Sequence, residues 1–398
     1  MIFARRALLA TGWGRDVRVE VAGGRIGRLT VGAVPAAGDV RVDCLLPALA
    51  NLHSHTFQRA MAGMTEYRAR GRDSFWSWRE LMYRFVDRLT PDQVEAIAAQ
   101  VFVEMQEAGY ASVGEFHYLH HGAGGGAYDN PAEMSVRIMA AAAATGIGLT
   151  HLPVLYSYGG AGKAALAGGQ LRFGNGVDGF ARLLERARVA AADLPADTVV
   201  GIAPHSLRAT CPEDLARALP LAAGAPIHIH VAEQPKEVAD ISGWLGARPV
   251  EWLLANAPVG AGWCPIHATH MTAAETEGLA RSGAVAGLCP ITEANLGDGP
   301  FNGPGWIAAG GGFGLGSDSN VRISLTEELR TLEYSQRLRD LERNVLVPGE
   351  GSVGAFLYQG AATGGARALG REAGTIAEGM LADLVAIDAD HPALCALG

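Results

Sequence analysis

Lysine is nearly absent from this 398-residue chain, which contains only Lys163 and Lys236. Arginine supplies almost all of the positive charge, and the formal net charge is −9. No block of basic residues is present, so the chain lacks the charge pattern that binds nucleic acid or anionic membranes. We therefore exclude both as partners.

Cysteine and long apolar runs are also scarce. The five cysteines are odd in number and form no C-x-x-C pair, which argues against a disulfide scaffold or a thiolate zinc site and for a reducing compartment. The short apolar run near the N-terminus breaks at Gly12, and no stretch is long enough to span a membrane. We expect a cytoplasmic protein without a signal peptide.

Strand and helix patterns alternate through the middle of the chain, whose composition is 49% hydrophobic and 18% charged. A helix is predicted from Pro91 to Glu107, with Thr90 as its N-cap. Eight strand–helix units predict an α/β fold, a (β/α)8 TIM-type barrel over residues 46–371, with a doubly wound open sheet as the alternative. The predicted strands are 46–55, 111–118, 147–157, 198–206, 226–233, 263–268, 284–291 and 312–318.

Both ends of the chain have the alternating pattern of half-buried strands. Residues 16–21 and 24–29 show it near the start, and residues 382–387 provide a counterpart near the end. We predict that residues 1–45 and 372–398 together form a small β-sandwich domain. The apolar, uncapped stretch at 394–398 favours a chain that continues beyond Gly398.

A His-x-His pair ends the first predicted barrel strand. Successive side chains of a strand alternate faces, so His53 and His55 point to the same side. Two imidazoles on one face can bind a divalent metal, although so short a motif also occurs by chance.

Later strand ends supply further candidate ligands. His230 lies at the end of the fifth strand with Glu233 three residues on, His267 at the end of the sixth, and Asp318 at the end of the eighth. The active site of a TIM-type barrel lies at the carboxyl ends of its strands. Three histidines and one carboxylate leave a metal one position for water, whose pKa the cation lowers. Zinc suits these ligands best, with iron and manganese as alternatives.

The remaining histidines have less specific explanations, and Asp318 by itself would be a turn former. Barrels with two metals use a carbamylated lysine at a strand end, and neither lysine here ends a predicted strand, which favours a single metal. We assign His228 to the core, His151 to the barrel interior, His270 to a loop or helix start, and His117, His120 and His121 to a surface cluster.

These motifs resemble those of the amidohydrolase superfamily, in its mononuclear deaminase branch. The resemblance covers nearly the whole chain, including the divided β domain. A narrower resemblance, to the formimidoylglutamate deiminases of histidine breakdown, rests on residues 53–60, 75–79, 114–118, 205–208 and, most specifically, 290–299.

The resemblance implies hydrolytic deimination of N-formimino-L-glutamate to N-formyl-L-glutamate and ammonia, by hydroxide that a single divalent metal supplies. It also implies a homodimer, since barrels of this superfamily are commonly dimers. The implied metal ligands are His53, His55, His230 and Asp318, and the implied catalytic residues are Glu233, His267 and Asp318. The implied substrate-binding residues are Gln58, Arg79, Tyr118, His205 and Arg208.

Two alternatives remain open. A deaminase of the same branch that acts on a nucleobase or another ring amine would need stacking and amide hydrogen bonds rather than paired arginines, whose guanidinium fork matches a carboxylate. A non-catalytic barrel would be expected to have lost ligands, and here every proposed ligand is present.

Overall fold

The computed structural model describes residues 1–67 and 74–394. In chain order, the strands are β1 (Ile2–Leu9), β2 (Gly12–Ala22), β3 (Arg25–Thr30), β4 (Val40–Pro47), β5 (Leu49–Ser54), β6 (Tyr110–His117), β7 (Gly148–Leu155), β8 (Val199–Val200), β9 (Ala203–Pro204), β10 (Ile227–Val231), β11 (Trp263–His267), β12 (Val285–Leu288), β13 (Gly312–Leu315) and β14 (Leu384–Ile387).

The α-helices of the same residues lie mostly between the barrel strands. They are α1 (Phe75–Val86), α2 (Pro91–Glu107), α3 (Glu133–Thr145), α4 (Val177–Ala191), α5 (Pro212–Ala218), α6 (Pro235–Leu245), α7 (Pro249–Asn256), α8 (Ala273–Arg281), α9 (Pro290–Leu296), α10 (Gly303–Ala308), α11 (Leu325–Asp340) and α12 (Val353–Ala368). Within residues 1–67 and 74–394, no helix has both the length and the apolar character needed to cross a bilayer.

A parallel sheet closes into the predicted barrel. Its strand order is β10-β11-β12-β13-β5-β6-β7-β8, and β9 pairs with β7. The two ends of this order meet where Ile202 bridges to Ile227 and where the His230 N–H donates to the His205 carbonyl at 2.9 Å. The closure confirms the TIM-type barrel and excludes the doubly wound open sheet. The fourth predicted strand, 198–206, appears as the two short strands β8 and β9.

Burial on both faces explains why the barrel strands are continuous apolar runs. Every residue of β5 is buried, and Leu52 lies in an apolar cluster that includes Ile266 and Leu369. Helix α2 packs against the outside of the sheet with a buried stripe that includes Val101 and Phe102. Its observed bounds and its Thr90 cap are those predicted, because Pro91 and the cap fix its start.

The chain ends meet in a second, five-stranded sheet of order β14-β4-β1-β2-β3. Strand β14 pairs antiparallel with β4, and Ile376 bridges to Leu9 over a small apolar core. Only Ala48 separates β4 from β5, so this sheet fixes the start of the strand that carries His53. The division into residues 1–45 with 372–398 and residues 46–371 stays a prediction. The expectation about the chain end concerns residues 395–398, which lie outside the described range.

Candidate active site

Four buried side chains converge at the carboxyl end of the barrel. Atoms of His53, His55, His230 and Asp318 that could bind a metal all lie within 4.8 Å of one another. The Oδ1 atom of Asp318 lies 3.4 Å from Nε2 of His53 and 3.2 Å from Nε2 of His55. The Nε2 atoms of His53 and His230 are 3.1 Å apart. The sequence predicted these four residues as ligands, and the fold places them together.

Backbone carbonyls orient two of the imidazoles. Nδ1 of His55 donates to the Phe116 carbonyl at 2.8 Å, and Nδ1 of His230 donates to the His205 carbonyl at 3.1 Å. A histidine whose Nδ1 carries the proton has a free lone pair on Nε2, which is the usual arrangement of a metal ligand. Both Nε2 atoms therefore present lone pairs to the centre of the cluster.

The chemistry of the four donors fits a divalent cation. Burial lowers the pKa of His53 to about 3, so its imidazole is neutral. Burial opposes ionisation of Asp318, but the adjacent imidazoles of His53 and His55 hold the pKa of its carboxyl well below the usual range. Metals bind neutral imidazole and ionised carboxylate, which are the forms present here.

Unusual backbone angles recur where the barrel strands end near this cluster. Asp318 has a φ of 48°, His267 of 67° and Ala232 of 51°, all in the left-handed region that few non-glycine residues adopt. The Asp318 N–H donates to the His53 carbonyl at 2.9 Å, and the His55 N–H donates to the Asp318 carbonyl at 2.9 Å. These bonds join the ends of the first and last barrel strands across the metal cluster.

Glu233 and His267 lie beside the cluster. Nε2 of His267 is 3.8 Å from Oε1 of Glu233 and 3.8 Å from Oδ2 of Asp318. Nδ1 of His267 is 3.2 Å from Oε1 of Glu293. Burial alone would lower the pKa of His267, but the carboxylates around it raise that pKa to about 10. Sequence reasoning gave Glu293 no role, although it falls in the stretch 290–299 that carried the narrower resemblance.

Arg208 is part of an ionic network with Glu233. Its Nη2 lies 3.4 Å from Oε2 of Glu233, and its Nε lies 3.8 Å from Oε2 of Glu237. Glu237 also accepts the backbone N–H of Glu233 at 3.0 Å. Burial raises the pKa of Glu233 above its ordinary value, and Arg208 partly opposes this shift. Glu237, on α6, is a second residue that sequence reasoning missed.

A cavity opens above the metal cluster and contains all five predicted substrate-binding residues. About 540 Å³ of space free of atoms, open solvent included, lies in this cavity and its mouth. Nε2 of Gln58 donates to the Tyr118 hydroxyl at 2.6 Å. The lining includes Gln58, Arg79, Tyr118, His205 and Arg208, with Tyr83, Trp78 and Tyr156 added by α1 and the loop after β7.

The predicted surface cluster of histidines is wrong. His117 and His120 are 1% exposed, and His120 Nε2 donates to the Val154 carbonyl at 2.8 Å. His151 is buried too, but its partner in the sheet is Glu115, on the opposite face from Phe116. The Phe116 ring contacts the metal-site histidines inside the barrel, so His151 faces the helices outside. The prediction that His151 lies in the barrel interior is therefore wrong. Residues 117–121 are polar enough to resemble a surface segment. Their burial depends on the helices that pack outside the sheet.

Strand β6 supports the metal cluster in a way that the sequence did not show. Glu115 is fully buried and accepts hydrogen bonds from the Thr56 N–H at 2.9 Å and the Thr56 hydroxyl at 2.8 Å. Thr56 directly follows His55, whose ring is held by the next residue of β6, Phe116. The two lysines of the chain form ion pairs away from these ligands, Lys163 with Glu213 and Lys236 with Asp240.

Sequence profiles of known families match the entire described chain. Residues 44–397 match the amidohydrolase family, and residues 1–43 match the N-terminal domain of the formimidoylglutamate deiminase HutF. The formimidoylglutamate deiminase of Pseudomonas aeruginosa is 50% identical over 398 residues, which are 99% of this chain and 87% of that protein. A 5-methylthioadenosine/S-adenosylhomocysteine deaminase of Natronomonas pharaonis is 29% identical over 373 residues, 90% of this chain and 77% of that protein.

Solved structures share the fold. The crystal structure of an amidohydrolase from Brucella melitensis has a TM-score of 0.96 and 51% identity, covering 100% of this chain and 88% of that one. Triazine hydrolase from Arthrobacter aurescens has a TM-score of 0.84 at 19% identity, covering 100% of this chain and 89% of that one, which shows the fold alone. With its barrel and its strand-end histidines, the chain belongs to the amidohydrolase family. Within that family, the profile at residues 1–43 and the Pseudomonas relative group it with the formimidoylglutamate deiminases.

Proposed function

We propose that this protein hydrolyses N-formimino-L-glutamate to N-formyl-L-glutamate and ammonia. The observation that carries the proposal is the presence of two guanidinium groups, Arg79 and Arg208, in the cavity that contains the metal cluster. The substrate has two carboxylates, and arginine is the side chain best matched to a carboxylate. A pocket for a neutral ring amine would have no use for this pair of charges.

The residues of the cavity suit hydrolysis of the formimino group. His53, His55, His230 and Asp318 would hold a divalent cation, which would lower the pKa of a water molecule towards neutrality. We assign to Glu233 the transfer of a proton from the attacking water to the imino nitrogen of the substrate. The hydroxyl of the resulting adduct then gives its remaining proton, through the Asp318 carboxylate, to the same nitrogen. The C–N bond breaks, ammonia leaves, and the oxygen remains as the formyl carbonyl.

His267 lies between the carboxylates of Glu233 and Asp318, each 3.8 Å from its Nε2. In our proposal, its Nε2 side donates a hydrogen bond to the oxygen that adds to the substrate, while Nδ1 stays on Glu293. Donors placed where negative charge develops are a major source of rate acceleration. Gln58, Tyr118, His205 and Arg208 would hold one end of the glutamate part, and Arg79 the other.

We further propose Zn²⁺ as the native cation, because three imidazoles and one carboxylate form a set that zinc commonly binds. A place in histidine degradation follows from the proposed substrate. A cytoplasmic location agrees with the cysteine pattern, and a homodimer is expected from the family.

The experiment that tests this function is ammonia release by the metal-loaded protein. N-Formimino-L-glutamate would be compared with guanine, cytosine and adenosine, and we expect rapid release from the formimino compound alone. Rapid release from a ring amine instead would leave the metal site intact as an assignment but would move the pocket to the nucleobase branch. No release from any of the four compounds, with metal bound, would favour a non-catalytic barrel.

A further inference from the structure

Arg79 is held by uncharged partners. Its Nε donates to the Tyr83 hydroxyl, and its Nη2 donates to the Tyr156 hydroxyl at 3.1 Å. The guanidinium also lies 5.1 Å from the centre of the Tyr83 ring and 5.6 Å from that of Trp76. In the described part of the chain, no Asp or Glu forms an ion pair with it. The full charge of Arg79 is therefore available to an anion in the cavity.

The side-chain amide of Gln170 contacts both Tyr83 and Tyr156. Nε2 of the buried Gln170 donates to the Tyr83 hydroxyl at 3.1 Å and to the Tyr156 hydroxyl at 3.3 Å. Its Oε1 accepts the Ala167 N–H at 3.1 Å, and Nε2 also reaches the Gly159 carbonyl at 3.1 Å. Because these backbone groups occupy both ends of the amide, the NH₂ group must face the phenols.

The direction of these hydrogen bonds leaves a hydroxyl proton for a ligand. The Gln170 Nε2 has two hydrogens for three acceptors, so one is directed to the Gly159 carbonyl and the other is shared by the two phenol oxygens. Each phenol oxygen also accepts from Arg79, and none of these donors uses the hydroxyl hydrogens. One hydroxyl can donate to the other, since Tyr83 and Tyr156 are neighbours. At least one O–H then has no acceptor among residues 1–67 and 74–394, and both tyrosines line the cavity.

We propose that Tyr83 and Tyr156 are specificity-determining residues, whose hydroxyls donate to the substrate carboxylate that Arg79 binds. Gln170 is a positioning residue, because its N–H group cannot accept the hydroxyl hydrogens and so leaves them free for a ligand. This inference rests on the proposed function and deepens it. Burial raises the pKa of Tyr83, which keeps that phenol protonated and able to donate. The array of one guanidinium and two phenols fits a carboxylate, which accepts hydrogen bonds and donates none.

The test uses two substrates that each lack one carboxylate. The N-formimino derivative of 4-aminobutanoate lacks the α-carboxylate of glutamate, and that of 2-aminobutanoate lacks the distal one. KM and kcat would be measured for these and for N-formimino-L-glutamate with the metal-loaded wild type, Tyr83→Phe, Tyr156→Phe and the double variant. For the full substrate we expect KM to rise about 10- to 100-fold in the double variant, with kcat changed much less.

The truncated substrates show which contact was lost. One of them should lose the same factor as the full substrate, because it still places its carboxylate under Arg79. The other should be insensitive to the tyrosine substitutions, because the carboxylate that they serve is already missing. Equal losses on both truncated substrates, or none on any substrate, would overturn the proposal.

Gln170→Glu tests the donor direction while leaving both phenols in place. A carboxylate at this position would draw the hydroxyl hydrogens away from the cavity, so KM should rise as it does in the tyrosine variants. Retention of the wild-type KM in this variant would contradict the positioning role. The matched control is Tyr334→Phe, which removes a hydroxyl from an exposed tyrosine that also stacks with an arginine, at 5.2 Å. It should leave all constants unchanged.

Failure of this inference and failure of the proposed function give different results. If the wild type turns over no formimino compound, the proposed function fails before any variant is compared. The wild type could be active while the tyrosine variants, shown to be folded by their thermal unfolding curves, keep the wild-type KM. In that case only the tyrosine assignment fails.

Discussion

At the scale of single residues, Glu233 is the side chain whose loss should affect turnover most selectively. It is 4% exposed, beside His267 and within 3.4 Å of Arg208. Glu233→Gln keeps the shape and removes the basic oxygen, so we expect kcat to fall by about 10²- to 10⁴-fold, the usual contribution of a general acid–base group. Metal content and the thermal midpoint should stay near those of the wild type. Near-full activity in this variant would mean that another group moves the proton.

His151 should make stability depend on pH. Burial lowers its pKa to about 3, against an ordinary value of 6.5, so the folded chain takes up the proton less readily than the unfolded chain. Its contribution to stability is therefore complete above pH 6.5 and is lost as the pH falls towards 3. Between pH 7 and pH 5, this one group should lower the free energy of unfolding by about 2 kcal/mol.

His151→Phe isolates that contribution. Neither ring nitrogen of His151 has a hydrogen-bond partner among the residues that the structure describes, so the substitution breaks no hydrogen bond there. Urea unfolding at pH 7 and pH 5 should show a pH effect smaller by about 2 kcal/mol in the variant. The exposed His391, replaced by Phe, serves as control and should leave the pH effect unchanged. An unaltered pH effect in His151→Phe would show that this histidine is not kept neutral by the fold.

At the scale of elements, strand β6 should determine how tightly the metal is held. Its Glu115 ties down Thr56, next to His55. Outer partners of metal ligands typically contribute 10- to 100-fold to affinity, so we expect Glu115→Ala to weaken metal binding by about that factor. Glu115→Gln should restore most of the affinity, because its carbonyl oxygen can still accept both bonds. Competition with a chelator gives the affinities, and equal values in all three proteins would leave β6 without this role.

Strands and their ends were the most predictable elements. His53, His55, His230 and Asp318 could be found from the sequence because parallel strands of a barrel bring their carboxyl ends together, whatever the loops do. Helix α2 was equally clear, since Thr90 and Pro91 mark its start.

Loops and outer packing were not predictable in the same way. Gln170 meets Tyr83 across 87 positions of sequence, and no local pattern indicates such a contact. Glu293 reaches His267 from the first turn of α9, a helix of only seven residues. The burial of His117 and His120 depends on packing outside the sheet, which an isolated polar stretch does not show.

At the scale of the whole molecule, the cation should stabilise the fold as well as enable catalysis. The residues that would bind it are His53 in β5, His55 directly after β5, His230 in β10 and Asp318 beyond β13, so binding would link distant parts of the barrel. Ligand that binds only the folded state at 100 times its dissociation constant adds about 2.7 kcal/mol. We expect chelation to lower the thermal midpoint and abolish ammonia release.

Adding back single cations provides the control for chelation. Zn²⁺, Mn²⁺ or Fe²⁺ should each raise the midpoint of the stripped protein, and the native one should restore the full rate. A midpoint that is the same with and without metal, once metal analysis confirms removal, would contradict a shared role in folding. Such a result would confine the four ligands to catalysis.

The proposed cation ligands and the group formed by Arg79, Tyr83 and Tyr156 are carried by different parts of the fold. The ligands belong to the barrel wall, whereas Arg79 and Tyr83 lie on α1 and Gln170 lies in the loop beyond β7. In evolutionary terms, the reaction and the choice of substrate can be inherited separately. A descendant of this chain with a different α1 segment could act on a different substrate, while every step of the hydrolysis stays the same. For a protein engineer, residues 75–86 are accordingly the first place to diversify.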